Sequence, residues 1–351
     1  MLRLGIVGIG FMGYTHFEAA HALKGARVAA ICTRDKKKLA GNWTGIQGNF
    51  GPPAGQVDLS RLKRYSDYRE LLADPEIDLV DICLPTELHE SVALESIAAG
   101  KPTLVEKPIA LDLKAADRVV AAAKKANVPL FVAHVLPFFP EFRFAADCVR
   151  GGKYGKLLAA HFRRVISPPK WSRHMANFRK LGGWGIDLHI HDNHFILSLC
   201  GSPKEVFSRG IVSDGFVNHV HSQYLYADRQ LAVSCVSGGI AAAGLQFVHG
   251  FELYLEKATI LYSAGTLGGA WHADRPLTLI RQDGKAVEPK LPGDASWCAA
   301  FTAELQTAVD ALRQGKEAPI LSGALARDAL RLCYAEARSI TRGKPVAIAG
   351  R

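Results

Sequence analysis

Along the first third of the chain, apolar positions follow two alternating rhythms. Short apolar runs at Leu4–Val7, Arg27–Cys32, Leu79–Leu84, Thr103–Val105 and Leu130–Val135 read as strands. Between them, Tyr14–Leu23, His89–Ala99 and Asp112–Ala126 read as helices. The first stops at Lys24-Gly25, the second is closed by Gly100, and the third is capped by Asp112 and ends near Asn127-Val128-Pro129. Strand and helix in alternation predict βαβ units around a doubly wound parallel sheet. The rhythm breaks at residues 41–60, GNWTGIQGNFGPPAGQVDLS, where five glycines and two prolines stand in place of a short connection. A long, solvent-exposed surface loop is expected there, in preference to a cover for the adenosine end of a dinucleotide through Trp43 or Phe50.

After Pro137-Phe138-Phe139-Pro140 the texture changes to β-branched and aromatic runs separated by turn residues: Leu157–Ile166, Glu205–Val212, His219–Tyr226, Leu231–Val236, Phe251–Leu255 and Leu277–Arg281. Asp283-Gly284 reads as a hairpin turn, and Ser296–Gln314 and Ala324–Ile340 as helices. The fold expected is α/β: residues 1–136 form an N-terminal doubly wound parallel-sheet domain, and residues 137–351 an α+β domain. The second carries a large open, mainly antiparallel sheet with a face for self-association.

The first strand runs into Gly8-x-Gly10-x-x-Gly13, with Phe11 and Met12 between the last two glycines. Gly8 allows a sharp turn, Gly10 lets backbone approach a pyrophosphate, and Gly13 lets the following helix pack close to the strand. The helix N-terminus then faces the phosphates with its N–H groups. A dinucleotide is therefore the expected cofactor.

With 351 residues the chain suits two domains. A net charge of +10 would suit a polyanion, but the basic residues are scattered and Lys36–Lys38 is the only tight run, so no nucleic-acid partner is expected. Seven cysteines without a C-x-x-C pair argue against a disulfide framework or a zinc ribbon. No apolar segment approaches the ~20 residues of a membrane span. Met1-Leu2-Arg3 and the apolar residues after it mimic a signal peptide faintly, but that stretch contains the glycine motif, and a cytoplasmic location is expected.

Chemistry belongs beyond the carboxyl ends of the parallel strands. Leu84-Pro85-Thr86-x-x-His89 ends one strand and Glu106-Lys107-Pro108 the next. Lys107 there can lower the pKa of a bound hydroxyl and hold its oxygen. In Gly182–His194, a helix beginning at Asp187 places Asp187, His191 and His194 on one face and turns His189 elsewhere. Histidine accepts an alcohol proton near neutral pH, and a carboxylate orients it. His189, His191 and His194 could alternatively serve a metal hydrolase, but with a nicotinamide site already offered, no metal is expected.

Taken together, GIVGIGFMGYTH (5–16), LPTELHESVALESIAAGKPTLVEKP (84–108), VAHVLPFFPEF (132–142), Asp187-x-x-x-His191 and ALARDALRLCYAEARSI (324–340) resemble the Gfo/Idh/MocA oxidoreductases. The resemblance implies a Rossmann domain, an open-sheet second domain, and homodimers or homotetramers. It also implies Lys107 as catalytic lysine, Asp187 as motif aspartate and His191 as acid/base, with Thr86, His89 and Glu106 lining the nicotinamide and its ribose. Trp171 falls on a segment that approaches substrate, and His194 joins the substrate-binding set. The chain departs from the pattern at Pro137, where many relatives have arginine, and at His194, a position often held by aspartate. The second strand ends in Cys32-Thr33-Arg34 without the acid that would bind an NAD ribose. Arg34, helped by Lys36–Lys38, could pair with a 2′-phosphate, which tips the expectation within NAD(P) toward NADP, while Asp35 could restore NAD.

The expected activity is hydride transfer between NAD(P) and a secondary hydroxyl of a sugar, cyclitol or glycoside. The alternatives are redox-assisted glycoside cleavage with retained NAD and a nicotinamide-binding sensor without chemistry.

Overall fold

The computed structural model describes residues 1–48, 50–168, 182–291 and 296–348. The chain divides into two compact units, Met1–Phe138 with Asp294–Arg327, and Phe139–Gly293 with Asp328–Arg351. In the first, parallel strands β1 (Leu2–Val7), β2 (Ala26–Cys32), β3 (Lys63–Tyr65), β4 (Leu79–Ile82), β5 (Thr103–Glu106) and β6 (Leu130–Ala133) lie in the order β3-β2-β1-β4-β5-β6. Helices α1 (Phe11–Ala20), α2 (Lys36–Leu39), α3 (Tyr68–Ala73), α4 (His89–Ala98) and α5 (Leu113–Ala126) follow the strands as crossovers. The order reverses between β1 and β4, the position where open parallel sheets form their ligand crevice.

The continuous apolar runs are strands covered on both faces: Leu4, Ile6, Ile31, Leu79, Val80, Ile82, Leu104 and Val105 are all fully buried. α5 starts and stops as its sequence requires. The Asp112 carboxylate accepts from the Ala115 N–H, and Asn127 ends the helix at φ 53°, a left-handed conformation that asparagine tolerates. β3 was not expected. It is an edge strand of three residues beginning Lys63-Arg64, both exposed, and carries no apolar signal.

The glycine-rich segment 41–60 departs from the solvent-exposed loop expected of it. Trp43, Ile46, Ala54 and Leu59 belong to the core of the first unit, Trp43 with no exposure at all. Its ring meets Phe17 edge-on at 4.9 Å, and its indole N–H donates to the Lys38 carbonyl at 2.9 Å. The glycines and prolines shape the path of the segment, but its four apolar side chains are what fix it, because burying them removes a large apolar area from water.

The second unit is built on one sheet with strands β7 (Leu157–Ile166), β8 (Glu205–Ser213), β9 (Phe216–Leu225), β10 (Ala232–Gly238), β11 (Leu245–Leu255), β12 (Ala258–Leu267), β13 (Ala270–Arg281), β14 (Ala286–Val287) and β15 (Val346–Ala347). Their order is β14-β13-β12-β11-β7-β10-β9-β8-β15. Only the β7–β10 pair is parallel. Two features escaped the apolar pattern. β12 alternates buried positions with Thr259, Leu261 and Ser263 and includes small residues among the buried ones, so it has little contrast, and β11 begins six residues before the expected Phe251 because Gly250 interrupts its run. A Cβ on Gly250 would lie 2.4 Å from the Tyr262 carbonyl. The Asp283-Gly284 turn closes a hairpin as expected, with Gly284 at φ 78°.

Helices α6 (Pro140–Arg150), α7 (Trp184–Asp187) and α8 (Ile190–Cys200) belong to the second unit. The late helices α9 (Ala299–Gln314) and α10 (Gly323–Arg342) do not follow one boundary near residue 136: α9 and the start of α10 group with the first unit. The reason is packing. Phe301, Leu305, Ala308 and Val309 of α9 join the core of the Rossmann sheet, and Thr302 Oγ1 donates to the Ala19 carbonyl of α1 at 3.0 Å.

Removing the Trp43 ring leaves a cavity that backbone cannot refill, so Trp43→Ala should lower stability by about 3 kcal/mol or more. The check is a urea titration followed by circular dichroism, in which the variant midpoint falls with an unchanged slope.

Candidate active site

The glycine turn is held by contact with its neighbours. Gly8 has φ 99°, and a Cβ on it would stand 2.7 Å from the Cys83 carbonyl, while a Cβ on Gly13 would stand 2.0 Å from the Gly8 carbonyl. No side chain but hydrogen satisfies both positions. A Cβ on Gly10 would meet nothing within 4 Å, and no side chain caps the α1 N-terminus that Gly10 begins. This is the geometry that a pyrophosphate needs: open backbone at the positive end of a helix. Phe11 and Met12, the first residues of α1, are half-buried.

At the end of β2, Thr33 accepts from the Asp35 N–H through its hydroxyl at 3.3 Å, and Arg34 is exposed. The Asp35 carboxylate accepts from the Lys37 and Lys38 amides as the N-cap of α2. Lys38 Nζ donates to the Ile9 carbonyl at 2.6 Å, tying α2 to the glycine turn. So Asp35 is engaged as a cap, and Arg34, Lys36 and Lys37 are exposed cations beside it.

Beyond β4, Leu84 is half-buried, Pro85 exposed and Thr86 buried. His89 is buried with Nδ1 2.7 Å from the Pro108 carbonyl and Nε2 2.8 Å from the Leu84 carbonyl, so its ring bridges the ends of two strands. Burial pushes its pKa down against the two carbonyls, and a singly protonated ring donates to one of them. The ring thus ties the segment after β4 to the segment after β5. Glu106 is 7% exposed and accepts from the Lys107 N–H at 3.0 Å. Lys107 is half-buried, and its peptide bond to Pro108 is cis.

Within the first unit, Gly8, Gly10, Gly13, Leu84, Thr86, His89, Glu106 and Lys107 thus stand on the turn and helix after β1 and beyond the carboxyl ends of β4, its neighbour, and β5, the strand after that. Sequence patterning missed the group beneath them. His16 of α1 has Nδ1 2.9 Å from Asp81 Oδ2, Nε2 3.2 Å from Glu106 Oε1, and Cys83 Sγ 3.4 Å from Nδ1. A polar residue inside the apolar run Leu79–Ile82 was the available signal for Asp81.

In the second unit, Gly182 and Gly183 turn the chain at φ 73° and 81°, and helix starts at once at Trp184. Asp187 therefore ends α7, where it was expected to begin a helix, and α8 starts at Ile190 after Leu188 and His189. Asp187 and His191 are half-buried, but His194 is fully enclosed, so it does not share an open face with them. Trp171 lies outside the described residues. His189, turned away from that face, contacts Glu336 of α10 at 2.9 Å, and Asn193 Nδ2 donates to the same carboxylate at 2.7 Å. Tyr224 donates to Asn193 Oδ1 at 2.7 Å, and Arg164 pairs with Asp192 at 2.9 Å. These buried ion pairs clamp α8 to the sheet and to α10.

Burial opposes charge on His189, but Glu336 outweighs it and holds the imidazole above its ordinary value; His189 in turn holds the buried Glu336 below its own. The raised histidine contributes fully below pH 6.5 and loses its contribution as pH rises through its folded pKa. The lowered carboxyl contributes fully above pH 4.5 and loses it as pH falls. Unfolding by urea across pH should therefore show the pair's stabilisation at its fullest between 4.5 and 6.5 and shrinking on either side. Glu336→Gln should flatten that profile.

Residues 2–134 match the model of an oxidoreductase family with an NAD-binding Rossmann fold. Myo-inositol 2-dehydrogenase of Thermotoga maritima is 28% identical over 214 residues, 60% of this chain and 59% of that protein. The rhizopine catabolism protein MocA of Rhizobium meliloti is 27% identical over 343 residues, covering 95% and 93%. The chain spans 47–59% of the length of several curated relatives it matches. Among solved structures, a levoglucosan dehydrogenase in complex with NADH and levoglucosan has the same fold, with a TM-score of 0.79 at 19% identity over 99% of this chain and 100% of that one.

Proposed function

Since the chain belongs, through residues 2–134, to the Gfo/Idh/MocA oxidoreductase family, we propose that it is an NAD(P)-dependent dehydrogenase acting on a secondary hydroxyl of a sugar or cyclitol. The observation that carries this reading is the open cradle at Gly10 together with half-buried Lys107 at the carboxyl end of β5, both in the first unit. Relatives named for inositol oxidation and for reduction of 1,5-anhydro-D-fructose support the substrate class.

The nicotinamide, when bound, supplies the hydride acceptor or donor. The glycine turn and the α1 N-terminus would hold its pyrophosphate, and Glu106 and Thr86 would line the nicotinamide end. Lys107 binds the substrate oxygen and stabilises the negative charge that develops on it. His191 takes the hydroxyl proton, and Asp187 orients the imidazole or a neighbouring hydroxyl. On the nucleotide side, the capping role of Asp35 leaves Arg34, with exposed Lys36 and Lys37 beside it, able to meet a 2′-phosphate, which favours NADP.

Lys107→Ala and His191→Ala should each lower kcat by about 10²-fold or more in a nicotinamide absorbance assay across inositols and anhydro sugars. Turnover left intact in both variants would overturn the assignment. By calorimetry, Arg34→Ala should weaken NADP⁺ binding about tenfold and leave NAD⁺ binding within twofold. Equal losses for the two cofactors would remove Arg34 from the selection.

A further inference from the structure

Three carboxylates, a thiol and a single imidazole lie together beneath the carboxyl ends of β4 and β5. His16 and Asp81 have no exposure, and Cys83 and Glu106 are 7% exposed. Glu304, from α9, is fully buried, and neither of its oxygens has a hydrogen-bond partner among the described residues. Such a group is costly to bury charged. Burial holds the Glu304 carboxyl well above the usual range, with Glu106 and Asp81 adding to this and His16 opposing it, so its charged form is disfavoured. For His16, burial disfavours the charged ring, but Asp81 and its hydrogen bond outweigh that and hold the imidazole well above its ordinary value. Nδ1 is hydrogen-bonded to Asp81, while Nε2 faces Glu106 Oε1 at 3.2 Å as an ion-pair contact without hydrogen-bond geometry.

Resting on the cofactor reading above, we propose that His16 is a positioning residue: anchored to Asp81 through Nδ1, it holds the Glu106 carboxylate through Nε2 at the end of β5, where the nicotinamide end of the dinucleotide is to lie. The 2.9 Å hydrogen bond at Nδ1 and the 3.2 Å ion-pair contact at Nε2, a nitrogen with no hydrogen-bond partner of its own, carry the inference. Glu106 is pinned from two sides, since its other oxygen accepts from the Lys107 N–H at 3.0 Å. The backbone of Lys107 is thereby tied to the same anchor.

The consequence is selectivity between redox states of the cofactor. The oxidised nicotinamide ring is cationic and the reduced ring neutral, so a fixed anion beside it favours the oxidised form. Glu304, buried without a hydrogen-bond partner among the described residues, makes no direct contact that would hold the Glu106 carboxylate.

The test is titration calorimetry of NAD⁺, NADH, NADP⁺ and NADPH against the full chain. His16→Asn keeps an amide where Nδ1 lies and loses the reach to Glu106, whereas His16→Gln extends an amide toward Glu106. His16→Asn should weaken the oxidised cofactor about tenfold and the reduced one threefold or less, and His16→Gln should recover most of the loss. The double variant His16→Asn/Glu106→Gln should bind no worse than Glu106→Gln alone, because His16 acts through that carboxylate. Glu304→Gln, which keeps the shape of the neutral acid, should leave all four affinities within twofold and report on the cluster if the His16 variants do not fold. Equal losses for oxidised and reduced forms, additive His16 and Glu106 effects, or an altered redox preference in Glu304→Gln would overturn the proposal. So would a stoichiometric metal ion in the purified protein that is lost in Asp81→Asn, since His16, Asp81 and Cys83 also stand at ligand spacing. If the unaltered protein binds none of the four dinucleotides, the cofactor reading itself fails and this inference with it.

Discussion

The distance between residue 13 and the Gly8 carbonyl governs the first unit. Where a Cβ would sit 2.0 Å from that oxygen, helix α1 lies directly against the turn that leaves β1. That closeness points the α1 N-terminus across the end of the sheet, where the strand order reverses. It also places the next turn of the same helix, with His16, over Asp81 and Glu106. A larger residue at position 13 would displace both the phosphate cradle and the buried anchor at once.

Each unit contains a buried imidazole held by carboxylate, and in each the pair lies behind elements that present the candidate chemistry. His16 stands behind Glu106 and Lys107 at the end of β5, and His189 stands behind the helix that carries His191. Buried ion pairs of this kind are weak evidence for stability but fix geometry, because losing one partner leaves the other charge stranded. The segment 41–60 serves the first unit in a different way, through Trp43 packed on Phe17 and hydrogen-bonded to the residue that itself reaches the glycine turn.

The legible parts of the chain were those with strong local periodicity or an obligatory residue. Strands β1, β2, β4, β5 and β6 appear as apolar runs because both faces are covered, and Gly8 and Gly13 appear because no other side chain fits. Asp112 and Asn127 bounded their helix for equally local reasons. β3, β12 and the first half of β11 were lost because edge exposure, small residues or an interrupting glycine removed the contrast on which pattern reading depends. At the site, Glu106 and Lys107 were found from their place after a strand, but Asp187 was expected one helix too late, and His194 was placed on an open face although it is enclosed.

By itself the sequence determined the parallel sheet, the glycine turn and the candidate chemistry at strand ends, since these rest on periodicity, on steric limits of single residues and on the direction of the strands. Only the tertiary structure decided that Trp43 is core, that α9 belongs with the first unit, and that His16, Asp81, Glu106 and Glu304 form one buried group. Those facts depend on contacts between residues up to hundreds of positions apart. No local pattern of polar and apolar residues encodes which distant partner a buried group will meet.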